Sequence, residues 1–315
     1  MVRRTTVVRH RSAVGRRPAE PSAVVRRTKV DRHESALGRW EMVHAAAHPA
    51  LRGHVHGYCG YREDTAAPLR RWETPSAVAA LVLSFGDELE VTIGDDATRR
   101  HTSFLAPLHD RPAATEHAGR QHGVEVRLSP LATRRLVGIP MHELPGGVVD
   151  LELVLGRHAD HLVEALATAP SWEDRFALLD AALARRLIAA PPLHPGVREA
   201  WMRLVASHGA VPVATLAAEL GWSRRHLGER IRADLGLPPK VIGRILRFDR
   251  AKQLLERDDG HRLAEIALDC GYYDQAHLNR DFRAFANAAP GEFLARRLPD
   301  GGGVAGLPAV EAATA

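Results

Sequence analysis

Cysteine is almost missing from this chain. Only Cys59 and Cys270 occur. They fall in segments of different character, which excludes a disulfide scaffold and fits a reducing cytoplasm. Long apolar runs are missing too. With no stretch of 18 such residues, no transmembrane helix is expected. The basic N-terminus is not followed by an apolar segment, so it does not read as a secretory leader. Aromatic residues are few, 5% of the chain, but the hydrophobic fraction of 45% permits real cores. There is no Walker loop, no dinucleotide fingerprint and no nucleophile elbow, and no carboxylate pair stands where its pKa would be raised. The expectation is therefore a cytoplasmic protein that is not an enzyme, has no cofactor and does not enter a membrane.

What is present falls into blocks. A length of 315 residues predicts two domains. The formal charge of +5 is unevenly placed. Residues 1–32 carry ten Lys or Arg against Glu20 and Asp31, residues 33–208 have a surplus of four acids, and residues 209–298 have 15 bases against 12 acids. The tail thus accounts for most of the basicity. Residues 1–32, Arg-rich and broken by Gly15, Pro18 and Pro21, are expected to be disordered. Their role is either non-specific attraction to phosphate or none. Residues 299–315 form a second expected disordered tail.

From residue 33 to 190 the pattern predicts a β-rich domain with helices at its end. Strand-like runs occupy 54–63, 78–86, 89–94, 101–106 and 122–129, separated by Gly, Pro and Asp-Asp. Their spacing suggests a small barrel or sandwich. Helical periodicity follows over 130–138, 148–169 and 171–190, with Ser171 and Asp174 placed to cap the last. A Pro-rich linker and a short helix fill 191–208. The fold class is α+β, a β-rich N-terminal domain with a helical appendix and an all-α C-terminal domain over 209–298.

Within that last block one pattern occurs twice. Leu216 to Ile231 reads LAAELGWSRRHLGERI, and Ile266 to Phe282 reads IALDCGYYDQAHLNRDF. Ala217 answers to Ala267 and Gly221 to Gly271, 50 residues on. Leu227 answers to Leu278 and Ile231 to Phe282, 51 residues on. The second turn therefore carries one extra residue. Each unit has the makings of a helix-turn-helix. A glycine can end the first helix at positive φ. Ser223 or Asp274 can cap the second, and two apolar residues four apart turn that helix to the core. Arg224, Arg225 and His226 in one unit, and Gln275, His277, Asn279 and Arg280 in the other, remain to face outward. These side chains suit base edges and phosphates. Between the units, Pro238 to Asp258 reads as a helix started by proline, with Val241, Ile245, Phe248 and Leu255 as its apolar stripe. About 19 helical residues span roughly 28 Å, close to the ~34 Å of a DNA turn. A rigid spacer of that length sets two recognition helices into successive major grooves.

The block resembles the C-terminal DNA-binding domain of AraC/XylS-type transcription regulators. The resemblance is carried by Leu216-Ala217, Gly221, Ser223, His226-Leu227, Leu235 to Pro238, Arg247, Ala251, Leu254-Leu255, Ile266-Ala267, Gly271-Tyr272, Asp274-Gln275, Phe282, Phe285 and Pro290. There are departures. Ile231 replaces an aromatic, Arg230 takes an apolar position, Ala286 replaces a glycine, and Gly228 stands where a longer polar side chain is usual. The resemblance implies double-stranded DNA as partner. The residues it assigns to DNA are Ser223, Arg224, Arg225, Gly228, Glu229, Asp274, Gln275, Ala276, His277, Asn279 and Arg280. A small-molecule effector, RNA polymerase and a second copy of the chain are its further candidate partners. Residues 60–86 and 124–156 are similar to the N-terminal domain fused to many AraC regulators of actinobacterial type, implying sensing or dimerisation without naming a ligand.

Two other clusters invite a site. His54-x-His56 would chelate a metal from one strand face, but Gly60 and Tyr61 stand where a metal site would want a carboxylate, so no metal is expected. Glu63, Arg70, Arg71 and Glu73 read either as the charged lining of an effector pocket or as a solvated loop. Trp40, Tyr58, Tyr61, Trp72 and Phe85 read as core, with one or two lining a pocket if the barrel is hollow. The reading is a sequence-specific, effector-responsive DNA-binding regulator. Its rivals are a regulator whose N-terminal domain only dimerises and an enzyme fused to a DNA-binding module.

Overall fold

The computed structural model describes residues 28–144, 147–257, 262–298 and 303–305. The N-terminal domain holds two antiparallel sheets. The first contains β1 (Thr28–Ser35), β2 (Gly38–Ala45), β3 (Val55–Thr65), β10 (Arg120–Leu128), β5 (Ala79–Ser84), β8 (Phe104–Ala106) and β11 (Val149–Asp150), in that spatial order. The second contains β12 (Val304–Ala305), β4 (Leu69–Glu73), β9 (Ala113–His117), β6 (Leu89–Ile93) and β7 (Arg99–His101).

Strand alternation sends alternate side chains to opposite faces, and the first sheet uses both. Val43, Tyr58, Leu81, Leu83, Val124, Val126 and Leu128 pack against α1 (Pro130–Val137), α2 (Leu151–Leu155), α3 (Ala159–Thr168) and α4 (Trp172–Ala189). Their neighbours Met42, Cys59, Tyr61, Glu63, Val82 and Glu125 turn to the other side, where the second sheet lies across a cavity. The expected barrel or sandwich with a helical appendix is therefore found.

Several details differ from the sequence reading. The run 101–106 divides between the two sheets, with Thr102-Ser103 carrying the chain across. Ser103 Oγ accepts the Ser84 N–H at 3.0 Å and so marks the corner. The single helix expected over 148–169 breaks after α2, because Gly156 takes φ 72° and ψ −168°, outside the helical region. Both expected tails need correction. Residues 28–32 belong to β1, tied to β2 from Thr28↔Ala45 onward, while residues 1–27 lie outside the described residues. Val304 and Ala305 pair with Trp72 and Arg71 of β4, so this part of 299–315 is ordered by a sheet edge. Ser171 caps α4 as expected, its Oγ accepting the Asp174 N–H at 3.1 Å.

The C-terminal block is all helix: α5 (Pro195–Ala206), α6 (Val213–Glu219), α7 (Arg224–Leu235), α8 (Pro239–Glu256), α9 (Leu263–Asp269), α10 (Gln275–Ala286) and α11 (Pro290–Ala295). The helix placed in the linker at 191–208 is part of this domain. Val197, Ala200, Trp201 and Leu204 of α5 are buried with Leu216, Leu227 and Ile231 of the first unit. The spacer α8 is more than a one-faced rod. Ile242 and Leu246 enter the core of the first unit. Ile245, Phe248 and Ala251 enter that of the second, among Ile266, Leu278, Phe282 and Phe285. Gly243 and Gly209 let α8 cross the end of α5 closely, since a Cβ on Gly209 would lie 2.2 Å from the Gly243 carbonyl oxygen. No helix among the described residues is long and apolar enough to cross a membrane.

Candidate nucleic-acid interface and barrel cavity

The two turns are built alike. Gly221 and Gly271 sit at φ 66° and 75°, which a side chain resists. The Trp222 N–H then reaches the Ala217 carbonyl at 2.9 Å, and the Tyr272 N–H reaches that of Ala267 at 2.8 Å. Ser223 Oγ accepts the His226 N–H at 3.1 Å, and Asp274 Oδ1 accepts the His277 N–H at 2.7 Å. Trp222 thus corresponds to Tyr272, and the extra residue of the second turn is Tyr273. Its side chain is 88% exposed, the most exposed of the large apolar residues described. The change of offset from 50 to 51 was its signature in the sequence.

The outward faces differ in freedom. On α7, Arg224, Arg225, His226 and Glu229 are exposed. Arg225 is already engaged, its Nε donating to Glu229 Oε1 at 2.8 Å one turn on. Gly228 lies between them with nothing within 4 Å of where a Cβ would stand, so backbone itself is presented there. On α10, Gln275, Ala276 and Arg280 are exposed, whereas His277 and Asn279 are half-buried. The His277 ring stands edge-on to Tyr272 at 5.1 Å, and its Nδ1 accepts the Tyr273 N–H at 3.5 Å. That leaves Nε2 as its outward atom. Arg283, also exposed and one turn past Arg280, extends the basic face and was not singled out from the sequence. Ser223 and Asp274 are occupied as caps.

Arg230 explains its own departure from an apolar position. Its Nη2 lies 4.0 Å from Asp234 Oδ2, and Asp234 Oδ1 also accepts from Arg134 Nε of α1 at 3.1 Å. The far end of the first recognition helix is therefore docked on the N-terminal domain, where Gly236 meets Met141. The second unit docks elsewhere, with Trp72 of β4 and Val304 of β12 packed into its core.

Between the sheets lies a cavity of about 490 Å³. Glu63, Arg71 and Glu73 line it, so the solvated-loop reading of these residues is corrected. Arg70, on the opposite face of β4, is exposed. Burial alone would raise the Glu63 carboxyl, but His117 beside it and the Arg71 guanidinium together hold it below its ordinary value. One wall of the cavity comes from α8, through Asp249, Lys252, Gln253 and Glu256. Lys252 Nζ donates to Thr74 Oγ1 at 3.1 Å across that junction. His54 lies just before β3 with Nε2 3.3 Å from Arg135 Nη1. No group of three or more His, Cys, Asp or Glu among the described residues could hold a metal ion.

Paired turns, matched caps and two outward polar helices on one spacer define a DNA-binding helix-turn-helix protein. The family model described as "Helix-turn-helix domain" matches residues 216–296. That segment is therefore a helix-turn-helix domain, and a β-rich domain precedes it in the chain. Among solved structures, an AraC-type DNA-binding protein of Chromobacterium violaceum is 29% identical, over 33% of this chain and 94% of its own, with a TM-score of 0.31. The C-terminal domain of AraT from Geobacillus stearothermophilus is 24% identical over 34% of this chain and 90% of its own, TM-score 0.32. ToxT of Vibrio cholerae O395 is 11% identical over 74% of this chain and 95% of its own, TM-score 0.45. No curated protein sequence matches.

Proposed function

We propose that the protein is a sequence-specific, effector-responsive regulator that lays α7 and α10 into successive major grooves on one face of DNA. The observation that carries this is the double burial of α8, which fixes both recognition helices to one rod. Its 18 residues span about 27 Å, close to one turn of the duplex. Arg280 and Gln275 are the candidates for base edges on α10, guanine for the arginine and adenine for the glutamine. Arg283 and the Tyr273 ring stand beside them for the backbone, and Arg224 serves it from α7. On α7, Arg225 reads through or after release of Glu229, and Gly228 allows close approach. The hollow, charged barrel with α8 in its wall supports an effector over a domain that only dimerises, and nothing in it favours chemistry.

Selection of genomic fragments by the full-length protein, followed by footprinting, tests the reading. Protection of two adjacent grooves is expected. Protection of one alone would remove α7 from the reading role, and absence of any specific site with cell extract added would overturn the proposal. Arg280→Ala should lose about 1–3 kcal/mol on the best site and relax preference at one base pair. Equal weakening on all sequences would instead make Arg280 a phosphate contact.

A further inference from the structure

The two recognition helices can be laid on one another residue by residue, because the offset beyond the turn is constant at 51. On that register Arg225, Glu229 and Arg232 of α7 answer to Ala276, Arg280 and Arg283 of α10, and all six are exposed. With about 3.6 residues per turn, each set forms one outward stripe. The stripes agree at the last position and differ at the other two. Where α10 has an arginine, α7 has a glutamate. Where α10 has an alanine, α7 has an arginine, one turn before that glutamate.

The arginine and the glutamate are joined. Arg225 Nε donates to Glu229 Oε1 at 2.8 Å, although the two side chains are 88% and 60% exposed. No second hydrogen bond of Arg225 occurs among the described residues, so Nη1 and Nη2 stay open to solvent. The bond also draws the guanidinium one turn forward, toward the place that Arg280 holds on α10. Gly228 lies between the two with nothing within 4 Å of a Cβ position, so no side chain screens the pair. Guanine offers N7 and O6 side by side in the major groove and takes two arginine N–H groups there. An arginine held by Nε keeps Nη1 and Nη2 for that contact. Neighbouring Arg230 is turned away, to Asp234 at 4.0 Å.

We propose that Glu229 is a positioning residue that holds Arg225 for bidentate contact with a guanine, so that the first unit supplies from residue 225 the contact that the second supplies from Arg280. The inference rests on reading α7 and α10 as groove helices, and within that reading the Arg225–Glu229 pair enters the groove intact. In water an exposed ion pair is loose. In the groove, where water is displaced, the same hydrogen bond strengthens, so the arginine is fixed as it meets the base. The pair is neutral as a whole. It adds selectivity without the non-specific attraction to phosphate that a lone arginine brings. A glutamate acting alone would instead accept from cytosine N4, and the phosphates beside the groove would oppose its charge.

The test takes the footprinted site and every single base-pair change within the groove that α7 protects. Relative affinities are measured for the full-length protein and for Arg225→Ala, Glu229→Ala, Glu229→Gln and the double alanine variant. Both positions are exposed, so the fold is spared, and thermal unfolding of each variant checks this. Arg225→Ala is expected to cost about tenfold at one guanine and to abolish the preference there. Glu229→Ala should weaken the preference at that same base pair by a smaller factor. Glu229→Gln should keep most of it, because the amide oxygen still accepts from Nε. The double variant should match Arg225→Ala alone. Effects at two different base pairs, or losses that multiply in the double variant, would overturn the proposal and make Glu229 a separate reader of cytosine. An unchanged preference in Glu229→Ala would overturn it as well. The groove reading fails separately, through an unaltered protein that protects no groove at α7, and that result would take the inference with it.

Discussion

At the scale of single residues, His122 is a strongly shifted histidine. It stands edge-on to Phe85 and Trp172. Burial first, then the guanidiniums of Arg62 and Arg175, push it down to about 4, with Glu41 opposing weakly. The unfolded chain protonates this ring near 6.5. Between those values the unfolded state binds a proton that the folded state refuses, so stability falls as pH drops through that window and the loss levels off below about 4. Urea midpoints measured from pH 7 to 4 should show this fall, and His122→Gln should flatten it. Parallel curves for the two proteins would assign the fall to other groups. Gly228 gives a prediction of the opposite sign. It lies inside α7 with open space around its missing Cβ, so Gly228→Ala should stabilise the protein by up to about 1 kcal/mol. A chemical denaturation curve checks this, and footprinting of the same variant shows whether DNA needs the bare backbone there.

At the scale of elements, α10 is held to α8 by Arg244, whose Nη2 donates to Asp281 Oδ1 at 2.7 Å. The Arg244 guanidinium also lies 4.8 Å over the Phe285 ring. Asp281 is buried, while Arg244 is partly exposed. Arg244→Ala should therefore cost about 2 kcal/mol, less than the full penalty for orphaning a buried charge. Removing both groups with Arg244→Met and Asp281→Leu should cost less than Arg244→Ala alone. A double-mutant cycle read by denaturation decides it. The sequence made the helices of this domain legible because caps, glycines and 3.6-residue periodicity are local. It did not reveal that α8 has two buried faces. Ile242 and Leu246 lie off the stripe of Val241, Ile245, Phe248 and Leu255, and only the packing of two cores on one rod shows why they are apolar. The barrel was legible from β3, β5, β6 and β10, which alternate or run apolar between turn residues. Strands β1 and β12 were lost among charged or Gly-rich residues, where pairing with a neighbour rather than composition creates the strand. The cavity was half legible. Glu63, Arg71 and Glu73 drew notice by charge, whereas His117, Gln121 and Lys252 meet them only through the fold.

At the scale of the molecule, the DNA-binding domain touches the barrel at separate places. Arg134 holds Asp234 at the end of α7, and Trp72 and Val304 pack into the core of the second unit. Arg134→Ala should loosen the first contact and spare the second. Hydrogen exchange is expected to quicken over residues 231–237 and stay unchanged over α10, whereas uniform quickening would mean that the two contacts act as one. The short strand β12 has a further consequence. The chain leaves the barrel at α4, builds both helix-turn-helix units, and returns to pair Val304 with Trp72. The DNA-binding domain is thus strung like a bridge between two abutments on the same body. If one footing gives way, the other keeps the span over its seat, so release and re-seating are unimolecular. Their balance should be the same in a dilute cell extract as in a concentrated sample.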